Sequence, residues 1–371
     1  MSDESSANTL ETPFPLPKRD TVTRVRASNG DLSHLPRRIR TQPMRGFDGE
    51  YTDIVDYIVR ITDRIWHDRA IGMIYDTYDH ACVVFSMYGV VRSVEEVIAS
   101  TVNSIQIAPD GRVEHLNVAW SGDEDRGFYT AHLGFGRSTN VGASLYGPPT
   151  GKSVGLRFAA DCVSRDNRIH TEWLVRDNGA FVNQLGFDRH EAARAVAAVP
   201  SMEIPVISVP SRLIGQSPPQ PLTLPVDTLD GWIRTMVHDL WTLRRLDRLG
   251  VYYATNVSVH SGGGREGVGL GELGSLIVSI MAALPDSTAR VDHICWSQET
   301  DGVIVAVRWV LTGNTHTGGF LGDVPVGQPV AMMVSSHLRF AEGRIAEEWT
   351  VFDEIGVLAQ AYRSAQVRTY L

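Results

Sequence analysis

Cysteine is scarce in this chain, three in 371 residues, and Cys82, Cys162 and Cys295 stand far apart. An odd number at such spacing makes neither a disulfide framework nor a zinc site, and it suits a reducing cytoplasm. Long apolar runs are missing as well: no 18-residue stretch is continuously apolar, so no membrane span is expected. The opening MSDESSANTLETPFPLPKRD has no basic end followed by an apolar run, and an unsecreted chain is expected. Positive charge is also in deficit. A net charge of −9 and a pI near 5.7 leave no basic face for nucleic acid or anionic lipid. Histidines, cysteines and carboxylates never fall at metal-ligand spacings such as HExxH, so neither metal nor other cofactor is expected. GGGREGVGLGELG (262–274) is glycine-rich but lacks GxGxxG spacing and reads as a flexible loop. What survives these exclusions is a small uncharged or polar molecule as partner.

What the chain does have is an internal repeat. At an offset of 176, Pro109-Asp110 falls on Pro285-Asp286, Trp120-Ser121 on Trp296-Ser297, and RIHTEWLVRD (168–177) on RIAEEWTVFD (344–353). At an offset of 175, Trp66 meets Trp241 and Tyr78 meets Tyr253. Residues 1–45 read as an extended arm, 46–190 and 226–371 as the two copies, and the Pro-rich 191–225 as a linker. In each copy a helical period comes first, with Ile54, Tyr57, Ile58, Ile61 and Ile65 on one face. Ser93 with Glu96 then forms a capping-box signature for a helix over 93–105. After Pro109 the alternation has period two, as in VEHLNVAW and FYTAHLGFG, which predicts an antiparallel meander. Helices followed by a meander predict an α+β fold.

The stretch HTGGFLGDVPVGQPV (316–330) followed by LRFAEGRIAEEWTVFDEIGVL (338–358) resembles the SnoaL-like signature of the nuclear-transport-factor-2-like superfamily. The earlier copy keeps GPPTGKSV (147–154) and EWLVRD (172–177). The resemblance implies a cone, a curved sheet wrapped around helices, enclosing an apolar pocket for a hydrophobic aromatic molecule. It also implies pairing of cones through their outer sheet faces: within this chain as a pseudo-dimer, and between chains as a homo-oligomer. Family chemistry is acid–base and cofactor-free. The cyclase aspartate that should follow the last-strand Trp is replaced by Leu174 and Thr350, which turns the expectation from a cyclase toward a lyase. The expected reaction is C–C cleavage or dehydration of a lignin-derived diaryl compound, formaldehyde-releasing in form. A polyketide or ester cyclase or isomerase is the alternative, and a non-catalytic binding or assembly module is the third reading.

A second pocket position of the family falls on Asp161 and His337. If 174 faces the pocket, strand alternation puts His170, Glu172 and Arg176 on the same wall. The catalytic candidates are therefore Asp161, Glu172, His170, His132 and His80, the last beside Asp79. Substrate contacts are expected from Arg92, Tyr129, Arg157, Arg176, Tyr78 and Ser100, and a second site would use His316, His337, Arg308 and Glu348. His67, His115, His190 and His293 have no placed partners in the sequence and read as surface or capping residues. Asp177 and Asp353 read as helix caps. Glu172 and Glu348 recur in both copies, which suits a framework role equally well.

Overall fold

The computed structural model describes residues 12–26, 39–199 and 220–369. Most of the Pro-rich linker and much of the arm lie outside the described residues. The elements are α1 (Ile54–Trp66), α2 (Met73–Thr77), β1 (Tyr78–Ser86), β2 (Gly89–Val91), α3 (Val94–Ile107), β3 (Arg112–Asp123), β4 (Gly127–Thr139), β5 (Ser153–Arg165), β6 (Arg168–Arg176), α4 (Asn178–Leu185) and α5 (Arg189–Ala197). After them come α6 (Leu229–Val237), α7 (Leu249–Tyr252), β7 (Tyr253–Ser261), β8 (Arg265–Val268), α8 (Gly269–Ala283), β9 (Thr288–Glu299), β10 (Gly302–Asn314), β11 (Pro329–Ala341), β12 (Arg344–Phe352) and α9 (Glu354–Thr369). The fold is mixed α+β around one large curved sheet. Asp53 caps α1 by accepting from the Val55 and Asp56 amides, and Ser93 caps α3. GLGELG (269–274), expected to be loop, opens α8, because helical pairing satisfies its backbone once the Gly263-Gly264 turn has been made.

All twelve strands form one sheet in the order β2-β1-β6-β5-β4-β3-β9-β10-β11-β12-β7-β8. Outward from the central β3-β9 junction, each half runs through its own third, fourth, fifth, sixth, first and second strands. Antiparallel pairing gives way to a parallel pair at β1-β6 and again at β7-β12. Only Trp120 and Trp296 pair across the junction.

The inner face of the first six strands packs on helices: Tyr57, Ile58 and Ile61 of α1 meet Val118, Trp120, Phe128, Cys162 and Ile169. The outer faces of the two halves meet each other through Ala119, Tyr129, Ala131, Cys295 and Ala306, with Trp173 against them. Residues 12–26 of the arm run over both halves. Phe14 is buried against Trp232 and Phe340, and the Arg19 guanidinium lies between the Trp120 and Trp296 rings at 4.1 and 3.8 Å. Asp177 caps α4 and also accepts the Gly263 and Gly264 amides at 2.7 and 3.0 Å, tying the β7-β8 turn to the first half. Both glycines have positive φ, which the tight turn requires.

Candidate active site

Residues paired across an antiparallel ladder share a face, so the strand registers sort the first half's side chains without ambiguity. On the inner face of β4, β5 and β6 three rungs follow one another: Thr130, Cys162 and Glu172; His132, Ala160 and Leu174; Gly134, Phe158 and Arg176. The corresponding rungs of the second half are Val305, Leu338 and Glu348; Val307, Ser336 and Thr350; Trp309, Val334 and Phe352. Ala160, Leu174, Phe158 and Arg176 are half-buried, whereas their four counterparts are fully buried.

The difference has a packing cause. Gly134 admits the Phe158 ring above the sheet, whereas in the second half Trp309 stands at that place, 5.1 Å from Trp241. The void left there is only about 10 Å³, bounded by Trp241, Trp309, Ser336 and Glu348, about enough for one water. In the first half the apolar side chains instead form separate clusters around α1, around α3 with β1, and around α4. Between these clusters Phe158, Ala160, Leu174 and Arg176 form a half-buried wall, with His132 buried beside them.

A polar chain crosses that interior. Asp63, on α1, takes His115 Nε2 at 2.9 Å and His67 Nδ1 at 3.1 Å on one oxygen. His115 Nδ1 is 2.9 Å from His132 Nε2, and the His132 ring stands edge-on to Phe158. For neutral rings, hydrogen-bond polarity sets the tautomers. The Val113 amide donates to His67 Nε2, so His67 carries its proton on Nδ1 and gives it to Asp63. His115 likewise donates from Nε2 to Asp63, so its Nδ1 is an acceptor. His132 must then donate from Nε2, and its Nδ1 is left with a free lone pair. Burial and the neighbouring His115 hold the His132 imidazole well below the usual range, which keeps it neutral. A neutral, oriented imidazole with a carboxylate behind it is a general base. The second half has His238, Thr242, Val291 and Val307 at the matching places and forms no such chain.

The expected convergence of Asp161, Glu172, His132 and His170 does not occur, for reasons of register. Asp161 pairs with Ala131 and Trp173, which puts it on the outer face, in the seam between the halves. There Tyr129 donates to it, the Arg308 Nε lies 3.5 Å away, and burial raises its carboxyl to about 6. Tyr129, Arg308 and His337 share that seam, with His337 Nδ1 at 2.5 Å from Asn117 Oδ1 and its ring lowered to about 3 by burial. They are bonded to residues of the opposite half and face no pocket. His170 occupies a β-bulge, since Thr171 pairs with Val163 and Ile169 with Ser164. The extra residue reverses the alternation, and His170 ends at the surface near Asp79, 3.7 Å away.

Exposure and local bonding place the remaining candidates. His80, Arg92 and Ser100 are exposed, and Ser100 bonds back to the Val97 carbonyl. Arg157 reaches across to Glu266 of the second half at 2.6 Å. His316 is exposed and bonds the Thr317 carbonyl. Glu172 does face inward and accepts from the Tyr78 hydroxyl at 2.9 Å, but Tyr253 stands beside Glu348 in the same way in the filled second half, so the pair belongs to the framework. Arg176 faces inward.

Asp63, His67 and His115 escaped sequence reasoning because their partners lie on different elements. The detectable signal was the i, i+4 spacing of Asp63 and His67 on α1, together with histidines in the first copy where the second has valines. Buried partners also overturn the surface reading of His293, which stacks on Tyr129 at 3.5 Å. A groove of about 480 Å³ lies elsewhere, among Asp48, Glu50, Asp76, Asp166 and Arg168, and holds none of the imidazoles. Among the described residues no group of three or more His, Cys, Asp or Glu is arranged to hold a metal ion, and no helix is long and apolar enough to cross a membrane.

Residues 232–361 match the family model for SnoaL-like polyketide cyclase. Wild-type IdmH from Streptomyces antibioticus is 30% identical over 33% of this chain and 91% of its own, with a TM-score of 0.28. A SnoaL-like polyketide cyclase from Agrobacterium tumefaciens strain C58 is 19% identical over 36% and 97%, with a TM-score of 0.30. TsrD from Streptomyces laurentii is 13% identical over 36% and 97%, with a TM-score of 0.32. No curated protein matches the chain.

Proposed function

Residues 232–361 belong to the SnoaL-like polyketide cyclase family, and on that premise we propose that the chain is a cofactor-free acid–base enzyme of cyclase or isomerase type. The two halves are read as tandem copies forming an intramolecular pseudo-dimer, in which only the first copy works and the second supports it. The observation that carries this reading is the Asp63-His115-His132 chain ending on the half-buried wall of the first half.

His132 Nδ1 takes a proton from a carbon next to a carbonyl of a hydrophobic substrate held against Phe158 and Leu174. The positive charge formed on the imidazole is shared through His115 with Asp63, and it faces the new enolate in a low-dielectric setting. The enolate then attacks an internal carbonyl, closing a ring, or is reprotonated at another carbon, which isomerises the substrate. His132 returns its proton in either case. A lyase acting on a lignin-type diaryl compound would need an acid as well as a base on this wall. A cyclase or isomerase uses one base in both directions, and for that reason it is preferred.

The pH dependence tests the base. Because the active form of His132 is neutral and its pKa is depressed, kcat/KM is expected to hold from pH 8 down through 6.5 and to fall only well below the ordinary imidazole range. The check is a pH profile of α-proton exchange of 2-tetralone in deuterated buffer. A midpoint at 6.5 or above would sink the assignment.

A further inference from the structure

Arg176 ends β6 on the inner face, in the rung with Gly134 and Phe158. It is half-buried, and among the described residues no hydrogen bond or ion pair engages its guanidinium. Tyr88 and Tyr146, whose hydroxyls bond each other, lie within its field, as does Glu172. The matching position of the filled half is Phe352, fully buried. A guanidinium on an apolar wall with no protein partner among the described residues is available to an anion, and this one stands in the half that carries the base.

We infer that Arg176 binds a carboxylate of the substrate, which is a monoanionic cyclic acid whose ring lies over Phe158 and Leu174 within reach of His132. This rests on the reading of the first half as the working site. The class follows from charge and shape. The three inner rungs hold one arginine, Arg176, and one carboxyl, Glu172, which the Tyr78 hydroxyl already bonds and burial pushes above its ordinary range; the guanidinium is left to meet one negative charge. Its planar fork matches the two oxygens of a carboxylate. The apolar remainder of the wall suits a ring and not a short hydrophilic acid.

The test compares 2-naphthoate with 2-naphthamide by calorimetry on the full chain. Wild type is expected to favour naphthoate by roughly ten- to a hundredfold, the range of one charge-assisted bidentate contact. R176Q should bind both alike, at the affinity wild type has for the amide, and R176K should recover part of the preference. Unchanged thermal unfolding of R176Q shows that the effect is local. Equal wild-type affinities, a preference that survives in R176Q, or no binding of either probe would each overturn the inference.

His132→Asn separates this from the catalytic reading. If it abolishes 2-tetralone exchange but keeps the naphthoate preference, both hold. If exchange persists while R176Q loses the preference, the base is misassigned and the anion site stands. If exchange is lost but Arg176 proves indifferent, only the carboxylate inference fails.

Discussion

His132→Asn is expected to slow α-proton exchange of 2-tetralone by about 10²- to 10⁴-fold, the usual contribution of a positioned general base. Asparagine falls short of His115 Nδ1, so His132→Gln, whose amide nitrogen reaches the place of Nε2 and can still donate to His115 Nδ1, is the companion variant that should keep the fold and show the same loss. Asp63→Asn should act at one remove. It leaves His132 in place but withdraws the charge that orients His115 and stabilises the imidazolium, with a loss of about ten- to a hundredfold. Deuterium incorporation read by mass spectrometry measures both. Substitutions of Val307 and Thr350, which occupy the corresponding rung of the second half, should leave exchange within about twofold, since Trp241 and Trp309 fill that interior. Loss of exchange there, with His132→Asn unaffected, would move the site to the wrong half.

Arg308→Met is expected to lower stability by about 3 kcal/mol at pH 8, because it strands a buried carboxylate in the seam. Arg308 lies over the Trp173 ring at 3.9 Å, bonds Tyr129 at 3.2 Å, and stands between Asp161 at 3.5 Å and Asp292 at 3.4 Å. The pH dependence has a definite sign. Burial already raises the Asp161 carboxyl to about 6 despite Arg308 and Tyr129, so its contribution to stability is full below about pH 4 and is lost as the pH rises through 6. Without Arg308 the folded pKa climbs further and the loss deepens above pH 6. At pH 5 the carboxyl is mostly protonated, and the substitution should cost much less. Urea unfolding at the two pH values measures this, and Asp161→Asn in the same chain should recover most of the loss at pH 8. A loss equal at both pH values would mean that packing on Trp173, and not charge, is what the arginine contributes.

The part of this molecule that was legible in its sequence is the part governed by short-range order. Helical period placed α1 and α3, and alternation placed the meander. Asp53 and Ser93 announced their helices, and Asp177 and Asp353 accept the amides of the turns they cap, as their positions suggested. Alternation along β6 holds for Glu172, Leu174 and Arg176, which share a face in the ladder. It failed at His170, where a single bulged residue reverses the faces, and nothing in RIHTEW marks the bulge. Asp161 was misplaced for a related reason. Its face depends on how β5 pairs with both neighbours, a non-local fact that a family pattern only approximated. The histidine chain was missed because Asp63, His115 and His132 lie on three elements, and a residue judged alone shows no partner. Comparison of the copies held the needed information, since His115 and His132 stand where Val291 and Val307 do. The difference between the two interiors was the hardest feature to foresee: Gly134 admits the Phe158 ring where the second half has Trp309.

If the first half alone receives a ligand, against the imidazole that ends the Asp63 chain, a crystal structure of the full chain with 2-naphthoate should hold one molecule per chain, its ring on Phe158 and Leu174, its carboxylate on Arg176, and an edge near His132 Nδ1. A molecule bound in the second half, in the seam beside Asp161, or in the acidic groove by Asp48 and Asp166, with the first half empty, would refute that assignment.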